Sequence, residues 1–549
     1  MGVGRLALAL LFVTAACQPA PIPQGPTPSS APSTAITRAG SPQPAAAAAS
    51  PSVLTGAARP TAAPQPVPPP TPLPLRTPDP GGLDPRFGIA EGFRDPTLMA
   101  DIGAGWERVV LSWADIQPAG PDDFSWLGRT LPPQSLADQL NQGVRMAGLL
   151  QFTPAWAATS AADAGRSVPR NLDLPDDDPR NYWGRFVFET VRYYAGRIDD
   201  WIIWNEPEFQ AADAAAGQGS YTWLGTDQQF ARLMQVAYRA AKRANPHAIV
   251  AFPGTSYWVD QTSGRPQFYE RFLQLVAADP TAQANSFFHD AVPLNLYRAP
   301  DDLVRLHQTF KDLQHRYAVD KPMWLLELNA MPTDDTSIPC ASMHSGNPIQ
   351  TTQVQQAAYA VQALSLGAGA GYERIGFYQM VDDDPCKQSA VWGITRDDGS
   401  RRPVAASLRT AIRSLSGFQR ARFAPLVRPA VRWAAWPDDP SSFTPNWQVY
   451  EVVFDLPGHR RVTVLWNGDG APVRARIPRQ AAQARLLDVQ NQPLTATSLG
   501  QDWAVTLPPA TAHYPGDPPG YYFIGGEPRL LVEDNVPSDA PVTPPRPAS

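Results

Sequence analysis

The sequence predicts an α/β fold: a (β/α)8, or TIM, barrel followed by a small antiparallel β-sandwich. Three observations point there. Between 83 and 418, eight short apolar runs alternate with long amphipathic segments, the pattern of repeated βα units closing a parallel sheet. Runs such as Trp201-Ile202-Ile203-Trp204 and Met323-Trp324-Leu325-Leu326 are apolar on both faces, as strands are when covered on both sides. From 419 to 534 the pattern changes to short alternating runs separated by turn signals such as Pro457-Gly458 and Asn467-Gly468-Asp469-Gly470, which predicts antiparallel β-structure.

Taken in order, residues 1–17 have the charged-then-apolar order of an export signal, with Arg5 ahead of the apolar stretch Leu6 to Ala16. The stretch is too short to span a bilayer. Its end, Ala15-Ala16-Cys17, resembles a bacterial lipobox with Thr14 where Leu is usual. That implies an extracytoplasmic protein held to the cell membrane by lipid on Cys17; cleavage by an ordinary signal peptidase, giving a secreted protein, is the alternative. Residues 18–82 are rich in Pro, Ala, Ser and Thr, and 18–80 hold 19 of the chain's 62 prolines. Such a segment buries too little apolar surface to offset its ordering entropy, so a disordered tether is expected.

The eight predicted barrel strands are Arg86–Phe93, Glu107–Trp113, Arg145–Phe152, Asp200–Asn205, Ile249–Pro253, Ala291–Tyr297, Met323–Leu328 and Ile375–Met380. Helices are predicted over Asn181–Ala195, Asp227–Ala244, Arg265–Ala278, Pro300–Tyr317, Thr351–Leu366 and Pro403–Leu415, where apolar residues recur at three- and four-residue spacing. The sandwich strands are expected at Val449–Phe454, Arg461–Trp466, Ala484–Val489, Trp503–Leu507, Tyr521–Ile524 and Leu530–Glu533. The Pro-rich stretch 535–549 predicts a disordered tail.

At 549 residues the chain exceeds one hydrophobic core. A net charge of −6 with no run of Lys or Arg argues against a nucleic-acid partner. Three cysteines are too few for a zinc framework, no His pair has ligand spacing, and no Gly-rich phosphate loop is present, so no metal and no cofactor are expected. With Cys17 lipidated, Cys340 and Cys386 remain, and outside the cytoplasm they are either paired or free thiols. A bridge would join the loops after the seventh and eighth strands.

In such a barrel the active site lies at the C-terminal ends of the strands. The fourth strand ends in Asn205-Glu206-Pro207 and the seventh in Glu327-Leu328-Asn329, which puts two carboxylates at the mouth. Paired carboxylates suit glycosidic cleavage: one protonates the leaving oxygen, the other attacks the anomeric carbon. They need unlike environments, because the acid must hold its proton while the nucleophile stays ionised.

Asn205-Glu206-Pro207 after an apolar strand, with Glu327 ending a later Lys321-Pro322-Met323-Trp324-Leu325-Leu326 run, resembles the clan of retaining glycosidases with Glu on strands four and seven. Within that clan the likeness is to glycoside hydrolase family 39, with family 5 second, and it spans about 83 to 418. The resemblance implies Glu206 as acid/base, Glu327 as nucleophile and Asn205 as donor to the sugar 2-hydroxyl. It implies Arg108 and Tyr297 as partners of the nucleophile. The chain departs from the clan at Asn295, where His is frequent, and at Phe377-Tyr378-Gln379, where a Trp is common.

Other residues carry weaker signals. Trp113, Phe152, Trp156, Trp204, Trp258 and Trp392 lie near strand ends and could stack on sugar rings, though aromatics are more often core. Glu91 ends the first strand and could bind a sugar hydroxyl. Asp382-Asp383-Asp384 has oxygen donors suited to calcium, but a lone acidic triplet is usually a solvated loop. A non-catalytic carbohydrate-binding envelope lipoprotein and a transglycosylase, which differs from a hydrolase only in its acceptor, are the competing readings.

Overall fold

The computed structural model describes residues 82–126, 131–210, 222–337, 351–383, 391–427, 447–513 and 520–547. Cys17, Cys340, Cys386 and Asp384, and with them the export, lipidation, tether and disulfide readings, lie outside the described residues.

The first sheet is parallel and runs β5-β4-β3-β2-β1-β9-β8-β7-β6. Its strands are β1 (Asp84–Ala90), β2 (Ala104–Ser112), β3 (Arg145–Gln151), β4 (Asp200–Ile203), β5 (Ile249–Ala251), β6 (Thr255–Ser256), β7 (Val292–Leu296), β8 (Met323–Leu328) and β9 (Arg374–Phe377). β5 and β6 are two pieces of one barrel strand: β5 pairs with β4, β6 pairs with β7, and a bridge between Ala251 and Ala291 joins the two ends of the sheet. That closure makes the eight-stranded barrel, in which β7, β8 and β9 are the sixth, seventh and eighth strands. Every residue of β4, β7, β8 and β9 is buried, as expected for strands covered by core on one side and helices on the other.

Helices follow each strand. Five of the six predicted ones lie within two residues of expectation at their starts, and the boundaries have local causes. Asn181 caps Tyr182–Tyr194 through Gly184 N–H. Thr226 and Thr352 each form a capping box with the Gln three residues on. The exception, predicted from Arg265, starts at Phe268, where Asp260 accepts the backbone N–H. The reading also passed over Pro96–Ile102, capped by Asp95, and Pro133–Gln142; both begin with Pro and end at a left-handed Gly.

The C-terminal region forms two antiparallel sheets. One holds β10 (Arg420–Phe423), β12 (Trp447–Leu456), β13 (Arg460–Asn467), β19 (Arg529–Glu533), β15 (Ala484–Leu487) and β16 (Pro493–Leu494), with β11 (Leu426–Val427) on β12. The other holds β17 (Thr497–Leu499), β18 (Asp502–Leu507), β14 (Val473–Pro478) and β20 (Arg546–Pro547). Two expectations are corrected here. Tyr521–Ile524 is not a strand; it touches its neighbours through an isolated bridge between Ala512 and Ile524. The 535–549 stretch is not a free tail over its described part: Arg461 donates to the carbonyls of Ala540 and Pro541, Arg546 donates to Asp502, and β20 pairs with β14. Arginine hydrogen bonds to backbone carbonyls, with Val536 and Ala540 buried, hold this stretch.

Barrel and sandwich belong to one compact unit. The helix Gln353–Ala370 is buried on nearly all sides from Gln356 to Ala368, which fits an element with the barrel on one side and the sandwich on the other.

Candidate active site

Glu327 lies on β8 with its side chain at the barrel mouth. Arg108 of β2 donates to Oε1, and the Tyr297 hydroxyl donates to Oε2 at 2.6 Å. Consecutive strand residues point to opposite faces, so Arg108 enters the barrel while Glu107 turns outward and accepts the Phe93 N–H at 2.7 Å. Both oxygens of Glu327 therefore receive donors, one of them cationic.

Glu206 has a different setting. Its N–H donates to Gly254 O at 2.9 Å, beside a bridge between Asn205 and Gly254, so the end of β4 is pinned at the gap between β5 and β6. Its Oε1 accepts a single N–H, from Asn295 of β7 at 2.9 Å. Burial, with the Glu327 charge adding to it, pushes this carboxyl up to about 8 against the weaker opposing effects of Asn295 and Arg108. The two carboxyls are thus electrostatic neighbours in unlike environments.

The backbone here is left-handed at non-glycine residues: Glu91, Phe152, Trp204 and Glu206 have φ of 57°, 69°, 69° and 47°. Each such residue costs about 1–3 kcal/mol and persists only where the surroundings over-determine it. Glu91, Phe152 and Trp204 directly follow the barrel strands β1, β3 and β4, and Glu206 lies two residues after Trp204, at the end where ligands bind in this architecture.

Among the aromatic candidates, Trp392 is brought to the site. It is 6% exposed, and its ring centroid lies 4.8 Å from that of Tyr297. Asn329, two residues beyond Glu327, donates to Trp392 O at 2.8 Å and to Tyr378 O, which ties the loop after β9 to the end of β8. Trp113 is corrected: it is fully buried, its indole N–H bonds Gln117, and its ring stacks on Phe186 at 5.1 Å. Trp183 and Phe186 of the helix Tyr182–Tyr194 pack against its ring and make it core. Trp156 sits edge-on to Trp113 and Tyr182, donating to Gln117 O, and no described contact joins it to either carboxylate. Trp204 is buried with its N–H on Thr222 O, and Trp258 lies under the Arg298 guanidinium.

Glu91 accepts from Arg94 at 3.2 Å, and Arg94 also donates to Asp383. Burial and the Asp383 charge raise the Glu91 carboxyl. Asp382 is taken up by Arg402 and the Gly393 N–H, so neither described member of the acidic triplet is a vacant oxygen ligand. Among the described residues no three His, Cys, Asp or Glu side chains gather as a cation site.

The sequence reading passed over Glu208, two residues after Glu206. It is buried, accepts the Ser256 N–H at 2.6 Å, and is raised well above the usual carboxylate range by burial and by Glu206. The acidic repeat around Pro207 was the available signal. Asn295 was noted only as a departure, and nothing in its sequence context announces a contact with Glu206.

No family model matches the sequence, and no curated protein matches it. The fold is similar to that of a family 39 glycoside hydrolase from the gut symbiont Bacteroides cellulosilyticus WH2, with a TM-score of 0.55 and 14% identity over 83% of this chain and 82% of that one. It is also similar to the family 39 glycoside hydrolase from Xanthomonas axonopodis pv. citri, with a TM-score of 0.51 and 15% identity over 84% of this chain and 96% of that one. At these identities the likeness is one of fold: this chain shares its barrel and trailing β-domain architecture with family 39 glycoside hydrolases.

Proposed function

We propose that the protein is an exported, retaining glycoside hydrolase acting on an oligo- or polysaccharide, with Glu206 as acid/base and Glu327 as nucleophile. The observation that carries this reading is the asymmetry of the pair: Glu327 receives Arg108 and Tyr297, while Glu206 receives one amide and is pushed up to about 8. Glu206 is thereby suited to hold a proton at neutral pH, as the acid must, while Glu327 faces the cationic Arg108. The apolar Leu6–Ala16 stretch ending at Cys17 supports export with a lipid anchor.

In the first half-reaction Glu206 gives its proton to the glycosidic oxygen as the bond from that oxygen to C1 breaks and a Glu327 oxygen bonds C1. In the second, ionised Glu206 takes a proton from water, the water oxygen bonds C1, and the Glu327 bond breaks with its electron pair returning to the carboxylate. Arg108 and Tyr297 hold Glu327 for in-line attack, and Asn205 presents its amide to the sugar.

The test is turnover of aryl glycosides and polysaccharides by the full-length protein beside Glu206→Ala and Glu327→Ala. Both substitutions are expected to lower the rate by orders of magnitude, with azide restoring Glu327→Ala and giving the inverted glycosyl azide. Variants that turn over a shared substrate as the parent does would overturn the assignment.

A further inference from the structure

We propose that Asn295 is the positioning residue of this site, fixing which oxygen of Glu206 carries the transferable proton and which end of the Asn205 amide is offered to the substrate. The inference rests on the glycosidase reading above. Asn295 is placed between the two carboxyls: its backbone is registered with Ser256 of β6 on one side and with Glu327 of β8 on the other. It is buried, and one nitrogen serves two acceptors, Glu206 Oε1 at 2.9 Å and Asn205 Oδ1 at 3.4 Å.

As placed, the amide aims its nitrogen at both acceptors. Asn295 Oδ1 is buried without a partner among the described residues, and it occupies the space a side chain at residue 254 would need: a Cβ on Gly254 would lie 2.5 Å from it. The stranded carbonyl is therefore the cost of aiming the nitrogen at both acceptors.

Two consequences follow for the chemistry. In a carboxylic acid the carbonyl oxygen accepts and the hydroxyl oxygen donates. With Oε1 accepting from Asn295, the proton resides on Oε2, and no donor among the described residues reaches that oxygen. Likewise Asn205 Oδ1 is turned to Asn295, which leaves the Asn205 nitrogen as the donor available to a sugar hydroxyl. Because an amide does not titrate, this orientation holds at every working pH, whereas an imidazole at 295 would add a titration of its own.

Glu208 supports the arrangement from behind. Its carboxyl holds the Ser256 N–H at 2.6 Å, and Ser256 is the registered partner of Asn295.

Asn295→Ala and Asn295→Leu test this; the leucine fills the amide's volume, so one variant survives if the cavity unfolds the other. Donation by Asn295 favours the ionised form of Glu206, so its loss moves the basic limb of the pH profile upward. We expect kcat/KM to fall by about 10- to 100-fold for a poor leaving group that needs protonation, and to change little for a dinitrophenyl leaving group. An infrared difference titration of the Glu206 carboxyl, assigned with Glu206→Gln, reads the same shift without turnover. It therefore separates this proposal from the glycosidase reading: an upward-shifted titration supports the role of Asn295 even if no substrate is found. An unmoved Glu206 titration in both variants, or an equal loss for good and poor leaving groups, overturns it.

Discussion

Arg108 reaches Glu327 across the barrel mouth from a β2 position whose side chain is only 1% exposed. Two charges withdrawn from water are held by each other, so removing one leaves the other buried and uncompensated, which costs about 3–5 kcal/mol. Arg108→Met is therefore expected to lose stability on that scale in urea unfolding and to lose turnover as well. The double substitution with Glu327→Met should recover part of the stability and none of the activity. A double variant whose loss equals the sum of the two single losses would show that the pair is not coupled.

Glu206 gives the protein a pH dependence of defined sign. Its carboxyl is raised from 4.5 to about 8 by burial and then by Glu327. A raised folded-state value means that the stability it contributes is fully present below about pH 4.5 and is lost as pH rises through about 8. Relative to Glu206→Gln, which cannot ionise, the parent should lose stability progressively across that window, and its kcat/KM should fall on the basic side near pH 8. Unfolding curves for the two proteins at pH 5 and pH 9 that keep a constant difference would contradict this.

The strands that carry the two carboxyls were legible in the sequence because Trp201–Trp204 and Met323–Leu326 are unbroken apolar runs with Glu206 and Glu327 just beyond them. The environment that makes those carboxylates differ was not. Asn295 meets Glu206 from 89 residues away, and although Pro253-Gly254 marks the break between β5 and β6, nothing local announces which side chains face it. Trp113 shows the converse error: its place after β2 suggested the mouth, but the short helix it begins folds the ring inward onto Phe186 and Trp183. In the sandwich the missed strands β10 and β14 carry alternating arginines, of which Arg420 and Arg474 are exposed and Arg422 and Arg476 half-buried. Guanidinium groups of Arg422 and Arg476 pair with Asp455 and Asp502, so polar chemistry adds to the burial of Ala475 and Ile477 in holding these short strands.

Arg402 staples the loops after β8 and β9. Fully buried, it donates to Asp335, Asp382 and Gly393 O, next to Trp392. Burial alone would raise the Asp335 carboxyl, but hydrogen bonds from Arg396, Ser337 and Arg402 outweigh it and bring it to about 2. A lowered value means that this stability is present above about pH 3.8 and lost as pH falls toward 2. Arg402→Met should destabilise by about 3–5 kcal/mol because it leaves the buried Asp382 without its cation and takes one of two guanidinium groups from Asp335, and should raise KM more than it lowers kcat by releasing the loop that carries Trp392. An unchanged KM in the folded variant would separate the staple from the site.

Gln362 should govern the docking of the sandwich on the barrel. It lies wholly buried in the helix Gln353–Ala370; its nitrogen donates to Gly525 O and Gly526 O at 3.0 Å each, and its oxygen accepts the Gly525 N–H at 3.1 Å. The glycine pair cannot back away to find water: the missing Cβ of Gly525 would stand 2.4 Å from the Trp466 ring, and that of Gly526 2.1 Å from Pro508 O. Gln362→Leu keeps the volume but leaves those backbone groups unpaired, at about 1–3 kcal/mol for each group stranded. Because the change lies at the interface, a calorimetric scan should resolve a separate, earlier transition for the sandwich, while turnover below that transition stays at the parent level. A single transition at the parent temperature would mean that apolar packing around the helix, and not this amide, holds the two parts together.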